Sequence, residues 1–148
     1  MNINNSNNHN FNIASIFDEI AAKRDFWIDK NKFFYQEDWR YMRFLIPEGA
    51  RVLEIGCGTG RLLAEMKPRH GVGIDFSSKM IEIAKENYPD LDFYCADAED
   101  LATYTNIAET FDYVIISDTI GLFSDCFAVL EGIKSVMDNS SRLIVGYY

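Results

Sequence analysis

The nine residues Val52-Leu53-Glu54-Ile55-Gly56-Cys57-Gly58-Thr59-Gly60 constrain this chain more than any other segment. A short, β-prone apolar run breaks into glycines spaced two apart, and Asp75 closes the next apolar run, Gly71-Val72-Gly73-Ile74. That order reads as a strand, a tight turn, a helix and a second strand with a carboxylate at its end. In a Gly-x-Gly turn no Cβ separates the backbone from a ligand, and a carboxylate accepts two hydrogen bonds from a vicinal diol. The chain therefore reads as a binder of a nucleoside-containing cofactor.

The next residues narrow the cofactor. A dinucleotide fingerprint would place a small residue at position 61, where this chain has Arg61, and a long cation cannot substitute for the small residue that packs helix against strand. No Gly-Lys-Ser/Thr ending is present either, which argues against a phosphate-binding loop of the Walker type. The contiguous pattern Glu54 to Gly60 resembles motif I of the class I S-adenosylmethionine (SAM)-dependent methyltransferases.

Three later segments fall in that family's order. Gly73-Ile74-Asp75-Phe76-Ser77-Ser78-Lys79-Met80 resembles the second strand and the helix after it. Cys95-Ala96-Asp97-Ala98-Glu99-Asp100-Leu101 is similar to the segment that reads adenine, and Phe111 to Asp118 to the fourth strand, which ends beside the reacting methyl. The resemblance covers about residues 31 to 148. It implies a cofactor site built from Glu54, Gly56, Cys57, Gly58, Gly60, Asp75, Phe76, Asp97, Ala98, Ser117 and Tyr35, with Asp118 as the candidate catalytic group. Two departures stand out: the loop Ala102 to Thr110 lacks the proline often found after such a Glu-Asp-Leu, and the chain stops early.

With 148 residues and 48% hydrophobic content the chain can bury one core as a single domain. Fourteen basic against twenty-three acidic residues give a net charge of −9, which repels polyanionic nucleic acid and also simply favours solubility. Cys57, Cys95 and Cys126 form no Cys-x-x-Cys pair, and His9 and His70 have no partner at ligand spacing, so no disulfide framework or metal site is expected. Reduced cysteines fit a cytoplasmic setting. No run approaches the roughly 20 apolar residues of a membrane span, and no signal peptide opens the chain.

Residues 1–12 contain seven asparagines and are expected to be a disordered tail, leaving 13–148 as the domain, with 13–46 a helical lid. Ile13, Ile16, Phe17, Ile20 and Ala21 recur as the stripe of a first helix. Tyr35, Trp39, Met42 and Ile46 share one side of a second, ending before Pro47. Trp39 and Met42 read as core; Tyr35, beside Phe33 and Phe34, reads as a lid residue reaching the cofactor.

From Arg51 the pattern alternates. Strands are expected at Arg51 to Ile55, Gly71 to Asp75, Asp92 to Cys95, Tyr113 to Ser117 and Leu143 to Tyr147, and helices at Thr59 to Met66, Ser77 to Tyr88 with Ser77 as N-cap, and Asp125 to Met137. The fold class is α/β: a doubly wound, mostly parallel, Rossmann-like sheet ending after the fifth strand. Its ligand crevice is expected at the carboxyl ends of the first and second strands, where the winding direction is expected to reverse.

In this reading Glu54 either favours the cofactor's cationic amino and sulfonium groups or braces the glycine loop, and Asp75 grips the ribose diol. Cys57 packs in a variable slot. Asp97 and Ala98 meet adenine by the resemblance, although one of Asp97, Glu99 and Asp100 could cap the following turn. Asp118 either positions substrate or cofactor, or acts as a base. Methyl displacement from a sulfonium needs alignment and water exclusion more than any obligatory acid or base.

The fourth strand ends Ser-Asp-Thr rather than Asn/Asp-Pro-Pro-Tyr, which disfavours amide or exocyclic nitrogen acceptors and leaves a small molecule first. Three functions follow: SAM-dependent methyl transfer to a small molecule, a SAM-binding regulatory module without transfer, or a nicotinamide-dependent oxidoreductase, which Arg61 opposes. The apolar fifth strand is expected to be covered by further sequence of a longer protein or by a second protomer.

Overall fold

The computed structural model describes residues 3–147, with side chains from residue 14 onward. Met1, Asn2 and Tyr148, and the side chain of Ile13, lie outside the described residues. Five strands, β1 (Arg51–Ile55), β2 (His70–Asp75), β3 (Asp92–Cys95), β4 (Tyr113–Ser117) and β5 (Arg142–Gly146), form one parallel sheet in the order β3-β2-β1-β4-β5. The winding direction reverses between β1 and β4, not between the first and second strands as expected. Sequence order alone leaves open which side of β1 the fourth strand joins, and the pairing of Val52 through Ile55 with Tyr113 through Ile116 decides it.

Helices cover both faces. Along β1, Val52 joins the core beneath α1 (Ile3–Lys30), α2 (Lys32–Leu45), α3 (Arg61–Glu65) and α4 (Ser78–Asn87), while Leu53 and Ile55 face the core beneath α5 (Leu101–Ile107) and α6 (Cys126–Lys134). This alternation is the period of two of a strand, and near-total burial on both sides suits a parallel sheet.

Local signals set several boundaries. The Ser77 hydroxyl accepts the Met80 N–H at 3.1 Å and caps α4, as expected, and Asp125 caps α6 through the Ala128 N–H. The Ala102 to Thr110 segment, expected as a loop, instead carries α5. Asp100 caps it through the Ala102 N–H, and Tyr104 is buried with its hydroxyl donating to the Ala98 carbonyl at 2.8 Å. The ring of Tyr104 lies where a Cβ on Gly132 would be, so α5 packs its Tyr104 ring directly onto the backbone of α6.

The expected tail is helical from Ile3, because extending a helix already held by its packed turns adds little further cost per residue. The stripe also turns. Ala21 and Ile28 are buried and Phe17 faces inward, but Ile16 and Ile20 are 57% and 42% exposed. Three acids of α1 set its rotation: Asp18 accepts from the Ser77 hydroxyl and the Lys79 N–H, Asp25 from the Thr59 hydroxyl at 2.6 Å, and Asp29 pairs with Arg61 at 2.9 Å.

Candidate functional site

Beyond the carboxyl ends of β1, β2, β3 and β4, and beneath α1, lies a cleft with two continuous halves. One holds about 660 Å³ of open space, mouth included, between Phe17, Ile74, Phe76, Ala98, Leu122 and Phe123. The other runs toward Glu54, Cys57, Tyr35 and Asp38, and Arg24, Gly56, Gly58, Ser117 and Asp118 line both.

The glycine loop shapes the floor. Gly56, Gly58 and Gly60 all have positive φ, but a Cβ would meet different obstacles at each. On Gly56 it would collide with Thr119 and on Gly60 with Phe93, so these two pack the loop against its neighbours. On Gly58 it would meet no protein atom and would project from the loop at a residue lining both halves of the cleft. Only there is the missing Cβ space for a ligand.

Asp75 is fixed at the end of β2, with one oxygen accepting the Gly58 N–H at 2.8 Å and the other the Ser77 N–H at 2.9 Å. Burial raises its pKa, partly offset by those two bonds and by the charge of Arg24. Each oxygen keeps a free lone pair. Glu54, 3% exposed, lies near the Leu63 backbone N–H of α3, which favours its ionised form, while its Oε2 has no hydrogen-bond partner among the described residues. Burial pushes its pKa well above the ordinary value, and Arg24 only partly opposes this. An orphaned, buried carboxylate oxygen is complementary to a cationic donor.

Cys57 is buried, and that burial together with Glu54 pushes its thiol up, so it packs, against Gly73, as a protonated group. Ala96 and Ala98 line the cleft, whereas the Asp97 carboxylate accepts the Glu99 N–H at 2.7 Å. Its neighbours are also engaged in local structure, Asp100 capping α5 and Glu99 accepting the Ser124 and Asp125 N–H groups. Asp118 has φ +54, a strained conformation for a residue with a side chain, and its pKa is raised by burial and then by the charge of Asp38. Tyr35 lines the polar half, its hydroxyl accepting from Arg24 at 3.4 Å.

Sequence reasoning missed Arg24, which lines both halves and acts electrostatically on Glu54, Asp75 and Asp118. A signal was present: Arg24 falls on the inward line Phe17, Ala21, Arg24, Ile28, a cation where an apolar residue would continue the stripe. Phe17, Thr119, Leu122 and Phe123 were missed because they reach the cleft from α1 and from the loop after β4. Among the described residues no helix is long and apolar enough to cross a membrane.

This geometry fits SAM. The orphaned Glu54 Oε2, the doubly held Asp75 and the open space at Gly58 offer an acceptor for an ammonium group, an acceptor for a diol, and room for close approach. Comparison with known proteins agrees. A family model described as a methyltransferase domain matches residues 46–148. A demethylmenaquinone methyltransferase of Thermotoga maritima is 32% identical over 137 residues, covering 88% of this chain and 58% of that protein. A 2-phytyl-1,4-naphtoquinone methyltransferase of Thermosynechococcus vestitus is 35% identical over 98 residues, covering 59% of this chain and 44% of its own length.

A solved structure described as a SAM-dependent methyltransferase, possible histamine N-methyltransferase, from Thermotoga maritima superposes with a TM-score of 0.75 at 27% identity, covering 89% of this chain and 60% of that one. The chain thus spans about 60% of the length of its longer-matching relatives. The glycine loop, the strand order and these matches together place the chain in the family of SAM-dependent methyltransferases.

Proposed function

We propose that this chain binds SAM and forms the catalytic domain of an enzyme that methylates a small, largely apolar acceptor. The observation carrying the proposal is Glu54 Oε2, a buried acceptor without a partner among the described residues in a cleft whose other acid, Asp75, is already oriented by two N–H bonds. When bound, SAM supplies an electrophilic methyl on a sulfonium. Glu54 holds the amino group, Asp75 the ribose diol, and Phe76 and the Ala98 segment flank the base. Gly58 would admit the methionyl chain close to the backbone, and Tyr35 would cover it from α2.

Ser117 and Asp118 stand at the end of β4, in both halves of the cleft. They orient the acceptor toward the methyl. With a raised pKa, Asp118 is also suited to take the acceptor's proton as the new bond forms. Phe17, Leu122 and Phe123 supply an apolar wall, and α1 above it excludes water. The names of the two quinone-methylating relatives support an aromatic, quinone-like acceptor.

Titration calorimetry with SAM, S-adenosylhomocysteine and NAD tests the binding, and transfer of a labelled methyl to reduced naphthoquinones tests the reaction. Micromolar binding of the first two without NAD is expected. Equal binding of NAD sinks the cofactor assignment. Binding with no transfer to any acceptor would instead favour a module that holds the cofactor without using it.

A further inference from the structure

The helix α2 is apolar on two opposite sides. Its inner line, Tyr35, Trp39, Met42 and the following Ile46, packs into the core. Its outer line is Phe33, Glu37, Arg40 and Phe44, with Tyr41 alongside, and Phe33, Tyr41 and Phe44 are 81%, 61% and 83% exposed. A surface helix normally turns charge toward water on its outer face. Two fully presented phenylalanines at the ends of such a line mark a contact surface.

The spacing of the outer line is four, three, four, the repeat of a helix-pairing seam. Its order is also self-complementary. If a second α2 is laid antiparallel with the axis midway between Asp38 and Trp39, Phe33 meets Phe44 of the other copy and Glu37 meets Arg40, each pair occurring twice. A two-fold interface demands this reciprocity. Parallel pairing would instead set Glu37 against Glu37 and Arg40 against Arg40.

Charge favours the same partner. The chain as a whole carries −9, yet Glu37 and Asp38 are balanced by Arg40 and Arg43 along this stretch, so two copies repel least here. Within one chain Arg40 already bonds Glu37, and pairing places each guanidinium between two carboxylates. Three aromatic side chains per copy, at about 150–250 Å² each, bring the pair to about 1,000 Å², the lower end of specific interfaces. We infer that two copies of this chain associate through the outer faces of α2, antiparallel about a two-fold axis, with Phe33 on Phe44 and Glu37 on Arg40.

Sedimentation velocity across a concentration series, with circular dichroism melts as the folding control, tests this. The unaltered chain should show a concentration-dependent dimer. Phe33→Glu and Phe44→Glu, both at exposed positions, should be folded monomers. Glu37→Arg should weaken the dimer about tenfold or more by setting like charges together, and Glu37→Arg with Arg40→Glu should restore it.

Register is read by disulfides in a Cys95→Ser, Cys126→Ser background. Along an antiparallel pair, two copies of position 33 lie about 16 Å apart, too far to bridge, while 33 and 44 face each other. Phe33→Cys mixed with Phe44→Cys should therefore cross-link, and neither variant alone should. A monomer at every concentration, a dimer indifferent to these changes, or cross-linking within a single variant overturns the inference.

Discussion

Glu54 is an acid on a strand that is otherwise buried and apolar where it meets the core, and its consequences are those of a carboxyl group withdrawn from bulk solvent. Burial holds its pKa well above the ordinary carboxylate range, so folding favours the protonated form. The contribution of Glu54 to the ligand-free fold is then fully present below the ordinary carboxylate pKa and is lost as pH rises through the folded value. A cationic ligand selects the ionised form, so SAM binding should release a proton and tighten as pH rises through the raised range of Glu54, then level off. Calorimetry in buffers of different ionisation enthalpy would show that proton, and Glu54→Gln should abolish both the proton and the slope. Asp75→Ala removes the acceptor for the diol and the brace on Gly58, costing on the order of 2–3 kcal/mol of SAM binding; unchanged affinity would reject its role. The glycines separate space from packing. Gly58→Val should fold, at a cost of about 1–2 kcal/mol for its positive φ, but bind no cofactor, whereas Gly60→Val should lower the melting temperature severely by striking Phe93. Similar melting of the two variants would show that Gly58 serves the loop rather than the ligand.

At the scale of elements, α5 shows why some structure was not legible in advance. Thr103, Thr105 and Asn106 are poor helix formers, and the segment has no long apolar period. What secures it is Tyr104 packed onto Gly132 of α6, a contact between distant parts of the chain. The strands, by contrast, were legible because an apolar run broken by glycine or closed by an acid has few alternatives, and β1, β3 and β4 begin and end where that pattern does. The same division runs through the site. Glu54, Gly58 and Asp75 come from one contiguous strand-turn-helix-strand unit, whereas Arg24 enters only because Asp18, Asp25 and Asp29 fix the rotation of α1 against α4 and α3. The end of α5 offers a test of strain within an element. Ala108 closes the helix at φ +52, where glycine is at ease and alanine is not. Ala108→Gly should stabilise the chain by about 0.5–1 kcal/mol, raising its melting temperature by about 2 °C by calorimetry. A decrease would mean that the lost methyl packs usefully there.

At the scale of the whole molecule, the sheet has two edges, unpaired among the described residues and of unlike character. On β3, Asp92 is an exposed acid that discourages pairing with another strand. On β5, Leu143 and Ile144 are half-buried against the two cores, Val145 is 45% exposed, and Tyr147 just beyond the strand is 72% exposed. Such an edge recruits other strands when molecules are crowded or partly opened, by a route independent of the α2 seam. Because Ile144 packs inward, a charge there would test the core rather than the edge, and Val145 is the informative position. Val145→Lys places a cation on an otherwise apolar strand end without disturbing packing, and it also offsets part of the −9 charge, which by itself would favour association. If it nevertheless raises the temperature at which light scattering climbs, and leaves the melting temperature within about 1 °C as expected for a surface change, then strand pairing at β5 drives aggregation. Unchanged or earlier scattering would place the aggregating surface elsewhere.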